Sequence, residues 1–153
     1  VLLQRVARAS VSVGGQVVGS IGQGLLLLVG VGVEDTQEDV SYLADKLLNL
    51  RVFEDQDGKF DRSALEVGAE LLVVSQFTLY ADVRKGRRPS FTEAAPPRLA
   101  QALVESLVHQ LQRSGLKVAM GEFGQHMLVE LQNDGPVTIL LDSKELRSRP
   151  RRG

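Results

Sequence analysis

The 153-residue chain contains no cysteine. That absence excludes thiolate nucleophiles, disulfides, zinc ribbons and iron–sulfur clusters, and it fits a reducing compartment. Histidine is almost as scarce, with only His109 and His126. Neither falls in a cluster of carboxylates at metal-ligand spacing, so neither a metal nor another cofactor is expected. His109 lies beside the leucine ridge of a predicted helix and His126 just before a predicted strand. Both read as non-catalytic on that pattern. No P-loop, GxGxxG fingerprint or GxSxG elbow is present, and nothing advertises a Ser-His-Asp triad. No apolar stretch approaches the ~18 residues that a membrane span needs. The apolar start is interrupted by Arg5 and Arg8, so no secretory signal is expected and a cytoplasmic location is.

What is present is the composition of one soluble globular domain, 43% hydrophobic and 24% charged. A chain of this size can bury one substantial core unaided. The net charge of −1 is unevenly spread. Four cations occupy the five positions Arg84 to Arg88, and the segment from Asp142 onward carries +3. Local positive charge of this kind can bind phosphates even when the whole chain is near neutral.

Hydrophobic patterning predicts about eight strands and two helices. β-branched, alternating segments open the chain, with Gly14-Gly15 as a hairpin signal. "GLLLLVGVG" (Gly24 to Gly32) is a short apolar run bounded by glycines, which suits a strand buried on both faces. Thr36 and Asp39 form a capping-box pattern ahead of a helix whose stripe is Val40, Leu43, Ala44, Leu47 and Leu48. A short strand and an Asp57-Gly58 turn follow, and then a second buried strand over Ala69 to Asp82. The second helix starts at Pro96-Pro97, carries Leu99, Leu103, Leu107 and Leu111, and stops at Gly115. Regular βαβ alternation is missing. The expectation is therefore a single compact α/β domain over residues 1–142, with a mostly antiparallel or mixed, barrel-like sheet and two packed helices. Residues 143–153 are expected to be a basic, solvated and mobile tail.

Two stretches invite chemistry. "SQFT" puts Ser75, Gln76 and Thr78 at the end of a buried strand, where unpaired polar groups would cost ~1–3 kcal/mol each. On a strand, Gln76 and Thr78 would share one face and Ser75 and Phe77 the other. "RKGRRPSF" joins Arg87 and Arg88 to Phe91, charge for a phosphate backbone beside a ring for bases, as single-stranded RNA ends require. A third stretch is puzzling. "LQNDGPVTILLD" has strand-like flanks around Asp134-Gly135, a strong hairpin signal. Yet Pro136 occupies the position that should donate the closing N–H, and proline has none.

Four blocks, "LLQRVARASVSV", "SQFTL", "RRPSF" and "FGQHMLVELQNDGPVT", resemble in order and spacing the D-aminoacyl-tRNA deacylase family of the bacterial and eukaryotic type. The resemblance spans roughly Leu2 to Asp142. It implies a homodimer with its active site at the subunit interface. It also implies hydrolysis of the ester between a D-amino acid and the terminal adenosine of tRNA, with glycyl-tRNA as a further substrate. By the same resemblance the Gly135-Pro136 peptide is cis and reaches into the partner's active site. There its carbonyls hold the substrate amine and exclude an L side chain. Gln76 and Thr78 are then the catalytic candidates, Thr78 as side-chain nucleophile unless the substrate's own 2′-OH participates. Ser75, Phe77, Asn133, Gly135, Pro136, Phe123, Gly124 and Met127 become substrate-binding candidates, and Arg5 braces the Gly-Pro loop. Arg87, Arg88 and Phe91 are candidates for contact with tRNA. The chain departs from the family at "DGKFDR" (Asp57 to Arg62), often "DGKMNL", and at Gln125, where a small residue is usual.

Two other readings stay open on the sequence. One is a proofreader of relaxed chirality acting on L-alanyl-tRNA, against which Arg5 argues. The other is a non-catalytic, dimeric tRNA-binding module, which the scarcity of acid–base side chains permits.

Overall fold

The structure is a computed structural model that describes residues 1–148. Its frame is β1 (Leu2–Val13), a twelve-residue strand. β2 (Gln16–Ile21) returns along the second half of β1 as a hairpin, and β3 (Gly24–Val29) pairs antiparallel with the first half. α1 (Gln37–Asn49) leads through a small hairpin, β4 (Phe53–Glu54) and β5 (Phe60–Arg62), and the short helix α2 (Ala64–Val67). β6 (Glu70–Ser75) then runs parallel to β3, residue by residue from Gly24↔Glu70 to Val29↔Ser75. α3 (Pro97–Gln112) crosses back to β7 (Val118–Met120), parallel to β6. β8 (Leu128–Leu140) runs antiparallel along nearly all of β1. The sheet order is β2-β1-β3-β6-β7, with β8 also paired to β1.

β3 and β6 are buried on both faces, as the apolar run predicts. Leu25, Leu27, Leu71 and Val73 face α1 and α3, joining Ala44, Leu47, Leu103, Leu107 and Leu111 in the larger core. The alternate residues Leu26, Leu72 and Val74 face inward with Val6, Val11 and Ile21, a second core inside the curled, barrel-like sheet. Each such leucine contributes about 1.5–3 kcal/mol by leaving water. Among the described residues, no helix is long and apolar enough to cross a membrane.

Three expectations need correcting. The second buried strand ends at Ser75, not Asp82: a 3-10 turn over Phe77–Tyr80 takes over. Alternation of side chains therefore stops, and Gln76 and Thr78 do not share a strand face. "LQNDGPVTILLD" is not a hairpin either. Both of its flanks pair with β1 within the single strand β8, whose register slips between Gln4 and Val6 and again between Val6 and Arg8. Finally, the mobile tail is in part a helix, α4 (Ser143–Ser148). Its Ser143 donates to Asp39 Oδ1 at 2.8 Å, and Arg147 pairs with Asp39 and Glu38 at 3.1 and 3.0 Å. Leu146 packs on the larger core. Local composition suggested a solvated tail, but the acidic first turn of α1 supplies partners for its cations. The remaining arginines of that expectation, Arg149, Arg151 and Arg152, lie outside the described residues.

Asp39 is thus shared: it caps α1 by accepting from the Thr36 N–H at 2.9 Å and clamps α4. Burial would raise its pKa. The Thr36 and Ser143 hydrogen bonds and the Arg147 charge outweigh burial and hold it below the usual 3.8. A depressed folded pKa gives stability that is present above the unfolded value and lost as pH falls through the folded one. Asp39→Asn is expected to cost about 2 kcal/mol at neutral pH. It should also flatten the acid limb of the stability curve below about pH 4, as measured by urea unfolding across the acid range.

Candidate active site

The parallel pairing of β3 with β6 decides where the site begins. The Gln76 N–H donates to the Val29 carbonyl at 2.7 Å, one step past the last strand pair. The backbone then bends into the 3-10 turn. The first N–H groups of any helical turn lack an intrahelical acceptor, and here Phe77 and Thr78 supply them. Such amides can stabilise a developing oxyanion. The Gln76 side-chain amide donates to the Thr78 hydroxyl, which ties the two catalytic candidates together.

Ser75, Gln76 and Phe77 form one wall of a cavity of about 670 Å³. Its floor is apolar, made of Val29, Val31, Val74 and Ala100, and its opposite wall is the loop Phe123 to Met127. Ala94 to Pro97, leading into α3, close a third side. Phe91 stands edge-on to Phe77 with ring centroids 5.0 Å apart and planes at 69°. The fold therefore brings together Ser75, Gln76, Phe77, Phe91, Phe123, Gly124 and Met127, which are scattered over fifty residues of sequence. Thr78 is exposed and reaches the cavity only through Gln76.

The basic loop is closed at its base by paired backbone bonds between Asp82 and Ser90, 2.7 and 2.9 Å. Arg84 folds back onto Asp82 at 2.7–2.9 Å, and that contact holds the Asp82 carboxyl below its ordinary pKa. Arg87 and Arg88 are exposed and make no ion pair among the described residues. Phe91, at the foot of this loop, links it to the cavity wall.

The Gly-Pro segment is elsewhere. Asp134 and Gly135 border a separate polar cleft of about 590 Å³ with Arg5, Glu54 and Arg62. Within one chain Asn133, Gly135 and Pro136 do not line the apolar cavity. The peptide between Gly135 and Pro136 is cis. Proline leaves the turn without its closing N–H, and a side chain bonds across the segment instead. Asn133 Oδ1 accepts the Val137 N–H at 2.7 Å, and its Nδ2 donates to the Val137 carbonyl and Thr138 hydroxyl, both at 3.1 Å. Asn133 is thus a strut beneath the loop, its side chain engaged within the chain. Arg5 is the second strut, its side chain only 8% exposed. It donates to the Asp134 carbonyl and the Val52 carbonyl, each at 2.9 Å, and pairs with Glu54 at 3.3 Å. Phe60, which distinguishes the "DGKFDR" stretch, lies under the Arg5 guanidinium at 5.6 Å. Gly135 has φ of 140°, and a Cβ there would come within 2.8 Å of Val137 Cγ2 and 3.1 Å of Arg5 Nη2. Only glycine fits between the two.

The chain belongs to the D-Tyr-tRNA(Tyr) deacylase family, whose model matches residues 2–142. It is 58% identical to a D-aminoacyl-tRNA deacylase of Roseiflexus castenholzii, over 99% of this chain and 98% of that protein. It is 61% identical to one from Thermomicrobium roseum, over 96% of each. A solved structure described as c-Myc DNA Unwinding Element Binding Protein superposes with a TM-score of 0.86 at 46% identity, covering 92% of this chain and 96% of that one. A probable eukaryotic D-amino acid tRNA deacylase superposes at 0.81 with 19% identity, over 90% and 95% of the two chains, a likeness of fold. The predicted fold class and family agree with these matches.

Sequence patterning overlooked several cavity residues. Val29 and Val31 read as strand core, and Ala94 to Pro97 as a helix start. His126, set aside as non-catalytic, is exposed at the cavity's rim beside Gln125. His109 is exposed on α3 and lines no part of the cavity. The only signal for the floor residues is the glycine spacing of "VGVG".

Arg5→Met should remove the donors to two carbonyls while keeping the stem's volume. Glu54 is half exposed, so its ion pair contributes little. The expected loss is about 2–3 kcal/mol, seen as a fall in Tm of roughly 4–12 °C by calorimetry. An unchanged Tm would show that Arg5 does not brace the loop.

Proposed function

We propose that this protein hydrolyses the ester between a D-amino acid, or glycine, and the terminal ribose of tRNA, and that it does so as a homodimer. One observation carries the reading. A cavity walled by Ser75, Gln76 and Phe77 and a rigidly strutted Gly-Pro loop are both built in this chain, yet on separate surfaces. Two copies related by a two-fold axis would bring each loop to the other's cavity. β8 favours such pairing: Leu128, Leu131 and Leu140 are exposed along it, the first and last by more than 60%.

In this reading the terminal adenosine enters between Phe123, Gly124 and Met127. The Phe77 and Thr78 amides receive the carbonyl oxygen as water adds to the ester carbon. The C–O bond to the ribose then breaks, the ribose oxygen takes a proton, and the free amino acid leaves. Little acid–base machinery is needed if the neighbouring 2′-OH relays that proton, which suits a site without a buried carboxylate or histidine. Thr78, held by Gln76, is the alternative participant. Rejection of L substrates is steric: the partner's Gly135 and Pro136 carbonyls bind the amine and leave no room on the L side. Because main chain does the rejecting, many D side chains are accepted and glycine passes. Arg87 and Arg88 meet the acceptor-end phosphates, so binding weakens with salt. Translation in the cytoplasm supplies the substrate.

The test compares D-tyrosyl-tRNA with L-tyrosyl-tRNA. Wild-type protein is expected to cleave only the D ester. Gln76→Ala and Gly135→Ala should each lose at least about tenfold in rate. Mixed and reassembled, the two variants should recover about a quarter of wild-type activity, since heterodimers regain one intact site. No recovery would place the loop and cavity in the same chain's site. Salt-sensitive binding without turnover of either ester would leave a tRNA-binding dimer, and cleavage of L-alanyl-tRNA a proofreader of relaxed chirality.

A further inference from the structure

The glycines of "VGVG" (Val29 to Gly32), at the end of β3, have no part in the proposed reaction. The segment's carbonyls and its glycines alternate in purpose. The Val29 carbonyl accepts from Gln76 N–H at 2.7 Å, and the Val31 carbonyl accepts from Ala95 N–H at 2.9 Å. These bonds tether two walls of the cavity. The intervening residues, Gly30 and Gly32, face the Tyr80 ring. A Cβ on Gly32 would lie 2.7 Å from the Tyr80 hydroxyl and 3.0 Å from Cζ; one on Gly30 would lie 3.1 Å from Leu79 Cβ, 3.2 Å from the Gln76 carbonyl and 3.3 Å from Tyr80 Cδ2. The ring therefore fills the space beside Gly32 and shares the space beside Gly30 with Leu79 and the Gln76 carbonyl, all three from the same turn.

Tyr80 is the last residue of the 3-10 turn whose other residues are Phe77, Thr78 and Leu79. A four-residue turn has little stability of its own. Within it the Leu79 N–H donates to Gln76 and the Ala81 N–H to Thr78, at 3.2 and 3.0 Å. Beyond those bonds, the half-buried Tyr80 ring anchors its C-terminal end. Asp35 holds the seat from below, accepting the Gly32 N–H on Oδ2 at 2.7 Å. Burial, then the carboxylates of Asp35, Asp142, Asp39 and Glu93, push the phenol up to about 12, so the ring stays neutral throughout the physiological range.

We propose that Tyr80 is a positioning residue of the deacylase site: its ring, seated on Gly30 and Gly32, locks the Gln76–Tyr80 turn and so sets the cavity wall of Ser75, Gln76 and Phe77. This rests on the hydrolase reading above for its consequence on rate, and on geometry alone for its consequence on the turn. The ring's volume matters, not its hydroxyl. Displacement by a fraction of an ångström at Gly32 should move the reacting amides.

The experiment uses the full chain with three variants, Tyr80→Phe, Gly32→Ala and the double variant. Two readouts are taken: kcat and KM on D-tyrosyl-tRNA, and hydrogen exchange at the Gln76 and Leu79 amides. Tyr80→Phe should keep kcat within about threefold of wild type. Gly32→Ala should lower kcat at least about tenfold with KM changed less than about threefold, and should speed exchange at both amides. The double variant loses the 2.7 Å hydroxyl contact but keeps the 3.0 Å contact with Cζ, so it should recover only part of both. Wild-type kcat and exchange in Gly32→Ala would overturn the proposal. So would a fall in kcat with wild-type exchange at both amides, because the turn would then not have been loosened. Should wild-type protein cleave no ester, the hydrolase reading fails by itself, and the exchange readout still decides whether the ring locks the turn.

Discussion

The parallel pairing of β3 with β6 is the constraint on which the rest depends. Its residues Leu25, Leu26, Leu27, Leu71 and Leu72 are all fully covered. Parallel strands covered on both faces cannot slip without exposing a whole row of leucines or turning it to the wrong core. The register therefore fixes Val29 opposite Ser75. From that pair the cavity is assembled outward: Gln76 hangs from the Val29 carbonyl, the 3-10 turn follows, and the next carbonyl, Val31, holds the approach to α3. Packing of the core thus fixes where the cavity's backbone lies.

A second principle governs the Gly-Pro loop. Backbone groups that lose a ladder partner must find another. Here a proline interrupts β8, and the vacancy is covered by Asn133 from the same strand and Arg5 from β1. Both struts are side chains whose planar groups imitate peptide hydrogen bonding. The outcome is a loop that is held from behind and bare in front. That arrangement suits recognition by main chain, where shape must persist while side-chain chemistry is left open.

The chemistry implied is correspondingly spare. The cavity offers apolar walls, the rings of Phe77, Phe91 and Phe123, and the polar side chains of Ser75 and Gln76. No buried carboxylate or histidine lines it among the described residues.

Much of this was legible in the sequence. Periodicity located both long helices and the doubly buried strands, because a core imposes its repeat on whichever residues cover it. The capping pair Thr36 and Asp39 and the hairpin at Gly14-Gly15 were equally local and equally readable. The blocks around Ser75 and Gly135 identified the family through residues whose spacing no core requirement explains. Three features were decided only in three dimensions. Strand β6 stops at Ser75 because its partner β3 ends at Val29, which nothing in "SQFTLYAD" announces. "NDGPVT" stays within one strand because Arg5, some 130 residues away, bonds the Asp134 carbonyl. The basic segment after Asp142 begins as a docked helix because Asp39 and Glu38 stand where its cations fall. In each instance the deciding partner is distant in the chain, and local propensity carries no record of it.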